Sequence, residues 1–548
     1  MSKGIGRFLG PFRSPVAKLH KHWIYSGRHA AWREVMRRTT DISRFAAHPQ
    51  GPRVVYMSMI GNMYLTNFEV PLALALNARG ARVEMIFDDF VFPLCELTVA
   101  DTMANKESFC RRCMDNRRRM TQGLPLTVRL ISELVDPASL ERYRQVAMSV
   151  TADNALQFEY EGVPVGRPAM MVAMRHFRRA SLDSTAADID VLRQYVVSAL
   201  ITKHAAQRLA DEGPIHAALM SHGIYTSWEP ALSVFLKRGV RVAAYDRQPG
   251  PNRFQFNWDS SPQNGDIGPA WNGRWKNRPM TPPQRQEALD YLASRETFAK
   301  ESCKYSDAPP SDPVQLRAAL GIASEKTALL LVSNLVWDAA AVGRDLVFSN
   351  TLEWVAKTIE IVSRHPNLHL IVKPHPAEVM RGTKLFVGEE IRRQFPKLPA
   401  NVTILPAGVH MNPMSLMKAV DVGIAHTSTA GLEMAALGKP VIPVSQAHYR
   451  GKGFTFDVES FAAYETIIAR AAELPGQYTP DMRELALKYV LVRFFKYQHH
   501  IPLVREKRYL DCRGYEIKSL DDLLPGRMAD LDFVCQAILD QREDFVRD

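Results

Sequence analysis

One pattern limits this chain more than any other: a regular beat of apolar strand and helix between about residues 328 and 444. Strands are expected near 328–333, 368–373, 402–405, 421–426 and 441–444, with helices near 350–364, 386–394, 413–419 and 429–437 between them. The strand runs are short and mostly apolar, as in strands buried on both faces. A helix between each pair of strands requires a parallel sheet with right-handed crossovers.

The same beat appears upstream. Arg53–Ser58 reads as a strand, 68–77 as a helix and Ala81–Phe87 as the next strand, a Rossmann-like βαβ opening. A further strand at Ala217–Ser221, a helix over 230–238 and a strand at Val240–Tyr245 continue it. Residues 103–150 and 165–210 read as helical, 247–280 as loop, and 283–300 as helix. The turn after the first strand, GNMYLTNFE, lacks G-x-G-x-x-G, so no dinucleotide cofactor is expected, nor any other. At 548 residues the chain is too long for one ordinary core. Asp307-Ala-Pro-Pro-Ser-Asp-Pro313 is polar and proline-rich, as inter-domain linkers are. The expected fold is α/β with two Rossmann-like domains. They are preceded by a basic extension (1–50) and followed by a helical tail (481–548), with the domains at 51–305 and 314–480.

Charge narrows the partners. The net charge of +11 favours anionic ones, but neither RNP-like aromatics nor zinc-finger spacing is present, so no nucleic acid is expected. Between Met1 and Thr40 nine Lys/Arg stand against Glu34 alone, with Phe8, Phe12, Trp23, Tyr25 and Trp32 interspersed. No signal-peptide pattern occurs there. This segment either lies on an anionic membrane surface or extends, solvated, over the first domain. No run of about eighteen apolar residues exists to span a bilayer. Cys110-x-x-Cys113, with Cys95 not far upstream, lacks a fourth ligand at standard spacing, so a metal is not expected and the six cysteines read as reduced thiols.

The candidate chemistry sits at strand ends. After Asp421–His426, the hydroxyls of Thr427, Ser428 and Thr429 stand where a helix begins. Gly438 ends that helix and Pro440 follows. Free N–H groups and the positive dipole end make such a helix start an anion site. Glu433, one turn on, offers a carboxylate to a ribose diol. The strand 368–372 runs into Lys373-Pro374-His375-Pro376, placing a cation and an imidazole at the same sheet end. Arg450 and Lys452, in the glycine-bearing loop His448–Gly453, are cations placed to pair with an acidic group of a ligand. The plainer alternative is that the hydroxyls only cap a helix and Glu433 faces solvent. In the first domain Asp89, His222 and Asp246 lie at strand ends and are the candidate general bases. Asp88, Asp153 and Glu159 remain open beside them.

KPHPAE, HTSTAGLEMAALGKPVI and HYRGKGFTFD, with Asn334–Asp338 and Trp354, resemble the capsule and surface-polysaccharide glycosyltransferases of bacteria. The likeness is to the GT-B type that includes CMP-Kdo transferases, and it covers roughly residues 325–465. It implies a nucleotide-sugar donor such as CMP-Kdo or another CMP-sugar, a glycan or glycolipid acceptor, and a place in the cytoplasm or on the inner face of the membrane. With no D-x-D-like sequence suitably placed, metal-independent transfer is expected. It also implies that a carboxyl-terminal helix near Met482–Lys496 packs back on the first domain. A CDP-polyol phosphotransferase and an inactive nucleotide-sugar-binding protein are the competing readings.

Overall fold

A computed structural model describes residues 28–297, 306–338, 342–380, 382–506 and 512–548. The first sheet is built from β1 (Arg53–Met57), β2 (Arg82–Phe87), β3 (Thr127–Leu130), β4 (Ala217–Ser221), β5 (Val242–Arg247) and β6 (Arg253–Trp258). The order is β6-β5-β4-β1-β2-β3. All neighbours are parallel except β6, which turns back antiparallel on β5. The second sheet comprises β7 (Thr327–Val332), β8 (Leu368–Lys373), β9 (Val402–Ile404), β10 (Val422–Ala425) and β11 (Val441–Pro443). Its order is β9-β8-β7-β10-β11, parallel throughout. The two α/β sheets are the expected architecture. Their central strands are almost wholly buried on both faces, as helices on either side of a parallel sheet require.

The helices used below are α1 (Met63–Asn77), α2 (Lys106–Thr121), α3 (Gly166–Phe177), α4 (Pro282–Thr297), α5 (Thr429–Ala436) and α6 (Pro480–Leu491). Asn62 starts α1 by accepting a hydrogen bond from the Leu65 amide. Gly438 sits at φ +88° just beyond α5, and the Lys439 amide returns to the Met434 carbonyl. That closes the helix in the glycine-dependent left-handed manner.

Several expectations are corrected. Residues 103–150 are not one helical region: α2 is followed by β3 and then two further short helices. The stretch 247–280 is not all loop, since it contains β6, whose Gln255 and Asn257 are buried and hydrogen-bonded to each other at 2.9 Å. The tail is not only helical. After α6 come a five-residue π-turn (Val492–Lys496) and β12 (His499–His500), which extends the first sheet antiparallel to β6. Trp32 is fully buried and donates its indole N–H to the Met120 carbonyl at 2.9 Å, so it is core and not membrane-facing. The remaining aromatics of the amino-terminal expectation lie outside the described residues. Among the described residues no helix is long and apolar enough to cross a membrane.

Candidate functional site

In the second sheet, β8 and β10 flank β7, and Lys373 and Ala425 both pair with Val332. The chains leaving these three strands therefore emerge side by side, within about 10 Å. From β10 come His426, Thr427 and Ser428. Ser428 is the cap of α5, its hydroxyl accepting from the Ala430 amide at 3.3 Å. Thr429 is the first helical residue. The buried Tyr449 hydroxyl donates to the Ser428 carbonyl at 2.9 Å and lies against Gly431, where an added Cβ would come within 2.1 Å of its oxygen. Thr427 Oγ1 accepts from Asn334 Nδ2 at 2.7 Å, joining the ends of β7 and β10. Asn334 Oδ1 and Ser333 Oγ are buried there without a hydrogen-bond partner among the described residues. Orphaned buried acceptors are rare and costly, and mark a place built around polar chemistry.

Lys373 ends β8. Burial lowers its pKa from 10.5 to about 8, and no carboxylate accompanies it among the described residues. His375 Nδ1 accepts from the Ala377 amide at 3.1 Å, which fixes the proton on Nε2 in the neutral ring. Glu378, three residues on, is fully buried, and burial raises its carboxyl to about 7. The structure thus brings Lys373, His375, Thr427, Ser428 and Thr429 to one end of one sheet.

The other expected donor-binding residues are placed differently. Glu433 is only 2% exposed and accepts from Arg295 of α4 at 2.7 Å. It holds α4 against α5 instead of presenting an open carboxylate. Arg450 donates to the Pro443 carbonyl at 3.3 Å and faces Glu459 at 3.6 Å. Lys452 reaches Asp266 of the first domain at 3.3 Å, so the glycine-bearing loop ties the two domains together. Beside it His448 stacks on Tyr489 of α6.

Across the junction, His222 and Asp246 follow β4 and end β5, which are neighbours in the sheet. Their side chains meet at 3.4 Å, Nε2 to Oδ1. The ring is held between Ser221 Oγ, 2.5 Å from Nδ1, and Trp228, stacked at 5.1 Å. His222 adopts φ +58°, a left-handed conformation unusual for a non-glycine residue. Burial, and then the Arg175 guanidinium, depress the His222 pKa to about 3, so the imidazole is neutral. Burial raises Asp246 to about 7, partly offset by the Arg247 amide and by Arg247, Arg493 and Gln263. Gln263 donates to Oδ2 at 2.8 Å. Both side chains retain some contact with solvent, 17% for His222 and 13% for Asp246.

Asp89 is not part of this pair. Its carboxylate accepts from the Ser132 amide at 3.1 Å and the Ser132 hydroxyl at 2.5 Å, tying down the helix that follows β3. Sequence reasoning missed Arg295, Asp266 and Arg493 because each acts on a partner remote in sequence. Asn334 had a signal, its place just after an apolar strand.

Residues 323–515 match the sequence model of the family described as Capsule polysaccharide biosynthesis protein. No curated protein sequence matches the chain. Among solved structures, the chain is similar to the KpsC beta Kdo 2,4 transferase of Thermosulfurimonas dismutans, at 16% identity and TM-score 0.36, over 57% of this chain and 89% of that one. The beta Kdo 2,7 transferase of the same organism aligns at 13% identity and TM-score 0.34, over 58% and 87%. A glycosyltransferase from Rickettsia africae aligns at 11% identity and TM-score 0.29, over 90% and 100%.

Proposed function

We propose that this protein, which resembles the capsule polysaccharide biosynthesis family and matches it over residues 323–515, is a glycosyltransferase. It moves a sugar from a nucleotide-activated donor, a CMP-sugar, to a growing capsule or surface glycan. The observation that carries this reading is the Lys373 ammonium. It is a half-buried cation without a carboxylate among the described residues, at the same sheet end as a hydroxyl-capped helix start. Burying an unpaired charge is costly, and a bound phosphate relieves that cost.

In the proposed reaction the sugar–phosphate bond breaks and negative charge collects on the leaving phosphate. Lys373, the Ser428 hydroxyl and the amides that open α5 receive it. His375, protonated on Nε2, adds a donor toward the nucleotide. These fixed donors take the place of a metal ion. The acceptor hydroxyl gives up its proton to Asp246, whose raised pKa suits a base working near neutrality. Neutral His222 orients that carboxylate and excludes water from one side of it.

Purified protein incubated with CMP-activated sugars and a capsule oligosaccharide should yield an acceptor heavier by one sugar, read by mass spectrometry. A product that has also gained phosphate identifies a polyol-phosphate transferase and overturns the reading. So does a donor left intact.

A further inference from the structure

Helix α4 walls one side of an open cavity of about 740 Å³ at the edge of the first sheet, flanked by the β5–β6 turn and the π-turn. The α4 wall runs from Pro283 to Ser294, about 16 Å of helix. Along the chain its two ends lead toward Asp246 and toward Arg295. Gln248 and Pro249 stand two and three residues beyond Asp246, and buried Arg493 donates to Gln248 at 3.2 Å while the next residues, Phe494 and Phe495, turn to the cavity. At the far end Ser294 precedes Arg295, which holds Glu433 of α5.

The lining has a definite chemistry. Tyr291 stacks on Phe494 with centroids 4.4 Å apart and meets Phe495 edge-on at 6.1 Å. Around these half-buried rings stand Gln284, Asp290 and buried Gln498, with Gln286 donating to Asp290 at 2.8 Å. Aromatic faces beside planar amides and carboxylates suit ligands that alternate C–H surfaces with hydroxyls. Two carboxylates, Glu287 and Asp290, against the one guanidinium of Arg253 disfavour a polyanion. The volume is in the range of pockets that hold extended small ligands.

We propose that this cavity holds a neutral, hydroxyl-rich segment of the acceptor glycan. The inference rests on the glycosyltransferase reading for its link to the reaction. Its test is independent of donor chemistry.

Maltotriose, mannotriose, chitotriose and the acidic trimer of galacturonate are titrated into the full chain by saturation-transfer NMR and calorimetry, beside CMP. At least one neutral trimer should bind saturably. Phe494→Ala and the surface change Asp290→Ala should each weaken it about tenfold without altering CMP affinity. Binding of no neutral trimer, binding of the galacturonate trimer alone, or neutral binding indifferent to both substitutions overturns the proposal. Neutral binding with no CMP binding leaves the glycan cavity standing and removes the donor reading instead.

Discussion

Lys373→Met separates what the second domain needs to fold from what it needs to bind. An ammonium held at about 8 instead of 10.5 is destabilised by roughly 3 kcal/mol at neutral pH. The side chain is only partly buried, so relaxation and water reduce the recoverable part to about 1–2 kcal/mol. The sign follows from the two states. The unfolded chain keeps this proton up to about 10.5, whereas the folded one releases it near 8. Wild-type stability therefore gains from this group as pH rises from 8 to 10.5 and lacks that gain below 8. Methionine, of similar length and uncharged, should be more stable than wild type at pH 7 and equal to it near pH 10.5. The same change removes the charge-assisted contact to phosphate, and CMP affinity should fall roughly 100-fold. Urea melts at both pH values, read together with CMP calorimetry at pH 7, give both numbers. A variant no more stable than wild type at pH 7 that still binds CMP with wild-type affinity would refute the reasoning.

Other outcomes follow from the same contacts. His375→Ala and Ser428→Ala should each abolish sugar transfer while costing no more than about 1 kcal/mol of stability, as loss of one helix cap does; turnover at wild-type rate in both variants removes the proposed leaving-group clamp. The transfer rate should fall as pH drops through about 7, where the Asp246 carboxyl takes up its proton, and Asp246→Asn should be slow and flat across that range. Because the folded pKa of Asp246 is raised, its contribution to stability is lost as pH climbs from 3.8 through 7, so the asparagine variant should melt higher than wild type above pH 7. Gly431→Ala would force a methyl against the Tyr449 hydroxyl and should cost about 1–3 kcal/mol, with CMP binding weakened alongside. Transfer should persist in excess EDTA; a requirement for Mg²⁺ would reject catalysis by fixed donors alone.

The second sheet was legible because its strands are uninterrupted apolar runs bounded by glycine, proline and hydroxyl residues, each of which acts locally. The same local rules located Lys373, His375 and Ser428 at strand ends. What escaped depended on distant partners. β6 was hidden because FQFNW carries Gln255 and Asn257 in its middle, and both are buried in the packed sheet, where Asn257 donates to the Asp266 carbonyl at 3.0 Å. β3 was hidden in an arginine-rich context, although Arg129 is there to meet Glu84 and Glu212. Helical spacing correctly put Glu433 on the face of Thr429. It carries no information that α4 lies across that face with Arg295 in place. Likewise Asp89 and Asp246 look alike as strand-end carboxylates, and only their neighbours, Ser132 for one and His222 for the other, tell them apart.

The account turns on whether the carboxyl end of the second sheet receives a nucleotide phosphate through Lys373. Calorimetric titration of CMP, CDP, UDP and GDP into wild type and Lys373→Ala at neutral pH addresses this without needing an acceptor. The account predicts saturable binding with CMP preferred, and its loss in the alanine variant while the melting temperature holds or rises. No binding of any of the four nucleotides, or equal binding by both proteins, would contradict it.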